Sequence, residues 1–112
     1  MKNNLYYSVR SRQDLNEIWD YIVTELQNPT AAERVVNGIM DIVDQLEDFA
    51  EIGAPLSSIT DVDNDYRFLV SSSYLVFYRT SGRDVYVDRI LYGRRDYLRI
   101  LFGDLPAGET SE

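Results

Sequence analysis

Apolar residues in the first part of the chain follow two different periods. Leu5, Tyr7 and Val9 alternate with polar positions, which predicts a short first strand. Further along, apolar residues recur every three or four positions, which predicts an amphipathic helix with one buried stripe. The stripe consists of Leu15, Ile18, Trp19, Ile22, Val23 and Leu26. Trp19 is expected in the core, because its large apolar ring belongs to this stripe.

A second amphipathic helix follows, so that the two form a helical hairpin. Ser11 and Asp14 fit the capping-box pattern at the start of the first helix, and Thr30 and Glu33 fit it at the start of the second. The Asn-Pro pair at 28–29 is expected to end the first helix. Gly53 and Pro55 are expected to end the second. The second stripe consists of Ala32, Val35, Val36, Ile39, Met40, Val43 and Leu46, with Phe49 beyond it.

From Tyr66 onward the period of the apolar residues changes from 3.6 to 2, as in strands. Strands are predicted at 66–70, 74–80 and 84–92, and a short helical turn at 97–102. Apolar and aromatic side chains occupy both parities of these strands, whereas two helices cover only one face of a sheet. The second face is therefore expected either to expose a patch for a partner or to be shielded by Tyr and Arg stems.

These elements predict an α+β fold: an N-terminal strand, a two-helix hairpin packed on a mostly antiparallel sheet of about four strands, and a short C-terminal helix. The length of 112 residues fits one domain. We expect this domain to span residues 1–103 and a polar, disordered tail to span 104–112. A further copy of the chain on the second sheet face would make a homodimer.

The composition removes several classes of chemistry. The chain has no histidine and no cysteine, so the commonest general base, thiolate nucleophiles and the usual zinc ligands are absent. We expect neither a metal nor a cofactor. No stretch reads as a membrane span or a signal peptide, which predicts a cytoplasmic protein without a membrane partner.

Charge is distributed unevenly along the chain, whose formal net charge is -8. Residues 1–65 carry four basic and 13 acidic side chains, a net of -9, whereas residues 66–99 carry seven arginines and three aspartates, a net of +4. The densest basic stretch is YGRRDYLR at 92–99. Arg94 and Arg95 follow a glycine and are expected to be exposed. The sequence therefore predicts a polarised surface with a basic site near the end of the last strand.

Several separated stretches together resemble the RelE/ParE superfamily, the toxins of bacterial type II toxin–antitoxin modules, also known as plasmid stabilisation proteins. The resemblance covers residues 5–99 and rests on the opening at 11–22, NPTAA at 28–32, GAPL at 53–56, YRFLV at 66–70, YLVFYR at 74–79 and RILYGRRDY at 89–97. It implies a growth-inhibitory toxin that a cognate antitoxin neutralises. RelE-like members cleave mRNA on the ribosome, and ParE-like members inhibit DNA gyrase without known cleavage chemistry.

The residues favour the ParE branch and a toxin without catalysis. RelE-like nucleases have an arginine after the tyrosine of the central strand motif, where this chain has Leu75 after Tyr74. Their catalytic lysines also have no counterpart, because Lys2 is the only lysine. A ribosome-dependent mRNA endonuclease stays an alternative, as does a degenerate, non-toxic member that only binds an antitoxin-like partner.

Candidate site residues follow from the basic segment and the resemblance. The residues expected to bind the target, DNA gyrase or alternatively the ribosome with mRNA, are Arg67, Arg79, Tyr92, Arg94, Arg95 and Tyr97. In the nuclease alternative Arg67, Arg95 and Tyr97 are the catalytic candidates, with arginine on phosphate and tyrosine as proton donor. Arg89 is instead expected to pair with Asp88 or a helix carboxylate, and for Arg67 an ion pair with Asp65 is an equal alternative.

Overall fold

The structure, a computed structural model, describes residues 2–61 and 63–103. The tail predicted at 104–112 lies outside the described residues. The helices are α1 (Val9–Thr24), α2 (Pro29–Asp44) and α3 (Tyr97–Phe102), with two short 3-10 helices at Gln45–Glu47 and Leu56–Ser58. The strands are β1 (Asn4–Tyr7), β2 (Ala54–Pro55), β3 (Arg67–Ser71), β4 (Tyr74–Ser81) and β5 (Asp84–Tyr92).

Helix α1 begins three residues earlier than the capping-box pattern predicts. Its N-cap is Ser8, whose hydroxyl accepts the N–H of Ser11 at 2.9 Å and donates to the carbonyl of Asp88 at 2.8 Å. The prediction of Ser11 as the cap is therefore wrong, and so is the strand position of Val9, which is the first helical residue. The reason is tertiary, since β5 supplies the second partner that makes Ser8 the better cap.

Helix α2 is also capped by a residue other than the predicted one. Asn28 accepts the N–H of Ala31 at 3.0 Å, and Pro29 occupies the first helical position, where its missing N–H has no cost. Thr30 therefore lies inside the helix. The predicted end of the second helix at Gly53 and Pro55 is also wrong, because α2 ends at Asp44 and the chain continues as the 3-10 helix at Gln45–Glu47. Helix α1 ends at Thr24, before the proline, and the chain turns through Gln27 with φ of 51°.

The sheet has five strands in the order β1-β5-β4-β3-β2, one more than predicted. The additional strand, β2, is a two-residue pairing of Ala54 and Pro55 with Phe68 and Arg67. Strand β1 pairs with β5 in parallel, and the other neighbours are antiparallel. The three long strands begin and end within one residue of the predicted bounds, because their period-2 pattern is strong.

The helical hairpin packs on one face of the sheet, which we call the helix-covered face. Its core joins side chains of both helices to those of β3, β4 and β5: Ile18, Ile22, Ala32, Ile39, Val43, Leu46, Leu69, Val76, Tyr78, Val85, Val87 and Ile90. Trp19 does not belong to the buried set, because 38% of it is exposed. Its prediction as a core residue is wrong: α1 buries only the part of its stripe that faces α2 and the sheet.

The second face of the sheet is covered by the chain itself. Leu56, Phe77 and Leu91 are at most 1% exposed there, and the apolar side chains of α3 pack against them. Arg79 adds cover, with its guanidinium carbon 5.2 Å from the ring centroid of Tyr66. Neither expectation describes this face fully, because the side chains of α3 supply most of the cover and the stem of Arg79 over Tyr66 supplies only part of it.

Within the described ranges, no helix combines the length and the apolar character that crossing a membrane requires.

Candidate functional site

An open groove of about 600 Å³ lies on the helix-covered face, between α1 and the ends of β4 and β5. Its floor is apolar and is formed by Ile18, Ile22 and Ile90. We call it the α1 groove. The α1 wall runs from Asp14 to Ile22, about 12 Å of helix at 1.5 Å per residue. The remaining lining residues are Glu17, Tyr21, Leu26, Val35, Ser72, Ser73, Tyr74, Tyr92 and Arg95.

The rim of the groove exposes large apolar side chains. Tyr21 is 53% exposed, Leu26 57% and Tyr92 39%. Tyr92 contacts Tyr74, its cross-strand neighbour, with ring centroids 5.7 Å apart. Burial raises the pKa of Tyr74 above its ordinary value. A concave site with an apolar floor, aromatic side chains and polar groups around it is typical of a binding site.

Charged groups of both signs line the groove. Asp14 is already engaged, because its carboxylate accepts hydrogen bonds from Arg89 at 2.8 and 2.9 Å and from the Ile90 N–H at 2.9 Å. Glu17 and Arg95 are exposed, and among residues 2–61 and 63–103 neither side chain forms a hydrogen bond or a close ion pair, although the charge of Glu17 contributes to the raised pKa of Arg89. These two groups are therefore available to a ligand of the groove.

The end of β5 and the basic loop after it place two of the candidate residues at the groove. The Gly93 N–H donates to the Ser73 carbonyl at 2.8 Å, and the Arg95 N–H donates to the Tyr92 carbonyl at 3.0 Å. Arg94 and Arg95 are exposed, as predicted. Tyr92 and Arg95 line the groove, and Arg94 is next to them in the chain.

Arg67 lies elsewhere on the sheet. It faces Tyr78 in the β3–β4 register, four residues along β4 from Tyr74, which is about 13 Å at the rise of a strand. Its Nη1 donates to the carbonyls of Gly53, at 2.7 Å, and Glu51, at 3.3 Å. These bonds fasten the GAPL segment to β3, and the structure shows no ion pair with Asp65 within its described part.

Arg79 belongs to a small polar network on the second face. Its Nε donates to the Asp88 carboxylate at 2.9 Å, and the hydroxyl of Tyr66 donates to the same oxygen at 3.0 Å. Burial, together with the charge of Asp88, raises the pKa of Tyr66 to about 12. The Arg79 guanidinium is therefore paired within the chain, although 46% of its side chain is exposed.

Tyr97, the first residue of α3, also lies on the second face. Its ring contacts Phe77, with centroids 5.4 Å apart, and its N–H donates to the Arg95 carbonyl at 2.8 Å. The side chains of Tyr92 and Arg95 thus line the groove, with Arg94 beside them in the chain, whereas the side chains of Arg67, Arg79 and Tyr97 lie elsewhere. The three catalytic candidates of the nuclease alternative, Arg67, Arg95 and Tyr97, do not form one cluster.

Sequence reasoning missed most of the groove. The apolar stripe predicts that Leu26 is buried, whereas 57% of it is exposed, and the stripe does not include Tyr21 or Glu17. The available signal was Tyr21 itself, a large aromatic residue outside the apolar stripe of α1. Tyr74 could not be assigned, because both faces of β4 carry apolar or aromatic side chains. No group of acidic side chains among the described residues could hold a metal ion.

Comparison with known proteins identifies the family. A search of curated proteins gives no significant match. Among solved structures, the chain is similar to the chromosomal ParDE toxin–antitoxin system from P. aeruginosa, with a TM-score of 0.66 and 24% identity. That match covers 80% of this chain and 95% of the other, and shows that the two share a fold. The family model of the ParE toxin of type II toxin–antitoxin systems, parDE, matches residues 5–97, and the chain therefore belongs to the ParE toxin family.

Proposed function

We propose that this chain is a growth-inhibitory toxin that acts by binding, that a cognate antitoxin neutralises it through the α1 groove, and that the basic rim of this groove contacts an essential target, DNA gyrase. The observation that carries the proposal is the apolar groove with Tyr92 and Arg95 at its rim. Membership of the ParE family supports the toxin role. Gyrase as the target follows from the resemblance to ParE-like toxins.

The shape of the groove supports a helical antitoxin segment. An amphipathic helix binds such a site by inserting apolar side chains at i, i+3, i+4 and i+7. The apolar floor and the exposed side chains of Tyr21 and Leu26 offer these contacts. Glu17 on one wall and Arg95 on the other favour a helix with a basic residue toward α1 and an acidic residue toward the β5 end.

The rim supports the target contact. Arg94 and Arg95 are exposed, and neither guanidinium has an ion-pair partner among the described residues, unlike Arg79 and Arg89. Arginine and tyrosine are also among the residues that most often dominate binding energy at protein interfaces. A protein target fits the net charge of -8 better than a phosphate-rich ribosomal surface does.

The nuclease alternative gains no specific support from the geometry. RNA cleavage needs a base, a charge-stabilising group and a proton donor around one phosphate. Tyr97 packs against Phe77, and Arg67 bonds the Gly53 carbonyl, so neither side chain reaches the groove beside Arg95. A homodimer through the second face is not part of the proposal, because α3 occupies that face.

Induced expression of the full chain in a bacterial host tests the proposal, with and without a co-expressed antitoxin from the adjacent reading frame. We expect growth arrest, its relief by the antitoxin, and inhibition of gyrase supercoiling by the purified protein. Arg95→Ala should weaken inhibition, whereas Arg83→Ala, an exposed arginine in the β4–β5 turn, should not.

Other results would contradict parts of this proposal. Normal growth at high expression would leave only a degenerate, antitoxin-binding member. Growth arrest with unaffected supercoiling would remove gyrase as the target, and mRNA cuts on translating ribosomes would establish the nuclease alternative.

A further inference from the structure

The segment at 93–96 connects the two faces of the sheet. Tyr92, the last residue of β5, lines the α1 groove on the helix-covered face. Tyr97, the first residue of α3, contacts Phe77 on the second face. Arg95 lies between these two tyrosines in the chain and reaches the groove. Because the segment is so short, the position of Arg95 depends on how the chain is held at both ends.

The first anchor is Gly93, which lies close to the β3–β4 turn. Its N–H donates to the Ser73 carbonyl at 2.8 Å. A Cβ at this position would lie 3.3 Å from the Ser73 oxygen and 3.8 Å from Cγ of Leu75. The approach is therefore close, and glycine permits it. This anchor fixes the start of the segment on the groove side.

The second anchor is Tyr97. Its N–H bonds the Arg95 carbonyl at 2.8 Å, and its ring packs on Phe77, which is 0% exposed. Helix α3 has only six residues, too few to be stable in isolation. Its position therefore depends on the apolar contacts of its side chains with the second face. The Tyr97 hydroxyl has no hydrogen-bond partner within residues 2–61 and 63–103.

We propose that Tyr97 is a positioning residue that holds Arg95 at the rim of the α1 groove and does not itself contact the target. Its ring anchors the segment on the second face, and its N–H fixes the backbone of Arg95. The aromatic ring of Tyr97 is required for this positioning, and its hydroxyl is not. The inference rests on the proposed function, in which Arg95 contacts the target.

Four variants of the full chain test this role: Tyr97→Phe, Tyr97→Ala, Arg95→Ala and the double variant Arg95→Ala/Tyr97→Ala. The first should arrest growth as the parent does. Tyr97→Ala and Arg95→Ala should each require about tenfold more protein for the same arrest, the loss typical of one interface anchor. The double variant should lose little more than Arg95→Ala, because both changes remove one contact.

Amide hydrogen exchange supplies a readout that a general loss of stability would not move. Tyr97→Ala should speed exchange at the Arg95 and Tyr97 amides about tenfold or more, since local opening frees them. Val43→Ala is the matched control, because it weakens the core of the helix-covered face, to which α3 does not belong. It should leave the Arg95 amide protected.

Each other outcome has a distinct meaning. If Tyr97→Phe loses activity as Tyr97→Ala does, the hydroxyl contacts the target or transfers a proton, and the positioning role is wrong. If Arg95→Ala loses activity and Tyr97→Ala keeps it, the positioning role fails while the proposed function stands. If Arg95→Ala is fully active, Arg95 does not contact the target, and both that part of the proposed function and the positioning role of Tyr97 are wrong.

Discussion

Asp14 on α1 and Arg89 on β5 form a bidentate ion pair between residues far apart in the chain. The carboxylate accepts from Nε at 2.8 Å and from Nη2 at 2.9 Å, and the two side chains are 5% and 14% exposed. The side-chain hydrogen bond to Asp14 raises the pKa of Arg89. The same carboxylate accepts the Ile90 N–H where β1 has ended, so it also closes the free edge of β5.

Removal of this carboxylate should destabilise the fold strongly. Asp14→Ala leaves the Arg89 charge and the Ile90 N–H without their partner, at a cost of about 3 kcal/mol in the free energy of unfolding. Asp14→Leu/Arg89→Met should lose less, because no buried charge remains. Urea unfolding followed by circular dichroism measures both. The control Asp20→Ala, an exposed acid on the same helix, should change stability by less than about 0.5 kcal/mol.

The hydroxyl of Tyr78 should matter for stability as much as its ring. It accepts the Gly53 N–H and donates to the Ala50 carbonyl, both at 2.9 Å. Tyr78→Phe leaves both backbone groups unsatisfied, and we expect a loss of about 1–3 kcal/mol. In Tyr86→Phe the removed hydroxyl is exposed, and the loss should be within about 0.5 kcal/mol. Equal denaturation midpoints for the two variants would show that the hydrogen bonds of the Tyr78 hydroxyl do not stabilise the fold.

Gly53 should not tolerate a side chain. A Cβ there would lie 2.6 Å from the Tyr78 hydroxyl oxygen and 2.8 Å from the Phe68 carbonyl oxygen. Gly53→Ala must therefore shift the ring or the strand, which overpacks the site at a cost of about 1–3 kcal/mol. Thermal unfolding measures the loss, with Gly38→Ala as the control, since the nearest atom to its added Cβ is 3.8 Å away. A parent-like melting temperature for Gly53→Ala would show that the loop relaxes.

The two assignments of the α2 cap make opposite predictions. Asn28→Ala removes the oxygen that accepts the Ala31 N–H, and we expect a loss of about 1 kcal/mol. Thr30→Ala should change stability by less than about 0.5 kcal/mol, because Thr30 lies inside the helix. Chemical denaturation of the two variants in parallel distinguishes the caps. A larger loss for Thr30→Ala would restore the capping box that the sequence suggests.

Stability should fall in alkaline solution. Burial raises the pKa of Tyr7 and of Tyr66 to about 12, above the ordinary value of 10.0. Between these values the unfolded chain loses protons that the folded chain keeps, so the free energy of unfolding decreases as pH rises from about 10 to about 12. Below pH 10 this contribution is fully present. Denaturation at a series of pH values measures it, and Tyr7→Phe and Tyr66→Phe should each flatten the decline.

The exposed apolar side chains of the groove should contribute to binding and little to folding. Leu26→Ser and Tyr21→Ser should change stability by less than about 0.5 kcal/mol, since more than half of each residue is already exposed. Both should weaken neutralisation by the co-expressed antitoxin, because each removes an apolar contact with its helix. Met40→Ser, an exposed apolar residue on α2, is the control. Full neutralisation of both variants would place the antitoxin elsewhere.

The sequence determined the elements and their order, because strong local periodicity dictates them. The two helical stripes and the period-2 strands are properties of neighbouring residues, and the three long strands lie within one residue of their predicted bounds. The helix ends are less well predicted, because α1 begins three residues early and α2 ends at Asp44, before Gly53 and Pro55. The family could also be recognised from the sequence, since its motifs are separated but keep their order. Exposure of Arg94 and Arg95 followed from local chemistry as well.

Tertiary structure decided what each polar residue does. Asp14 looks like a capping residue until β5 brings Arg89 and Ile90 to it, and Ser8 becomes the cap because β5 supplies the Asp88 carbonyl. The positions of the site residues also depend on the tertiary structure. Strands and helices show which residues share a face, but only the packed chain sets Arg95 beside the α1 groove and Tyr97 on the opposite side. Contacts between residues far apart in the chain depend on how the elements pack, and no local pattern encodes them.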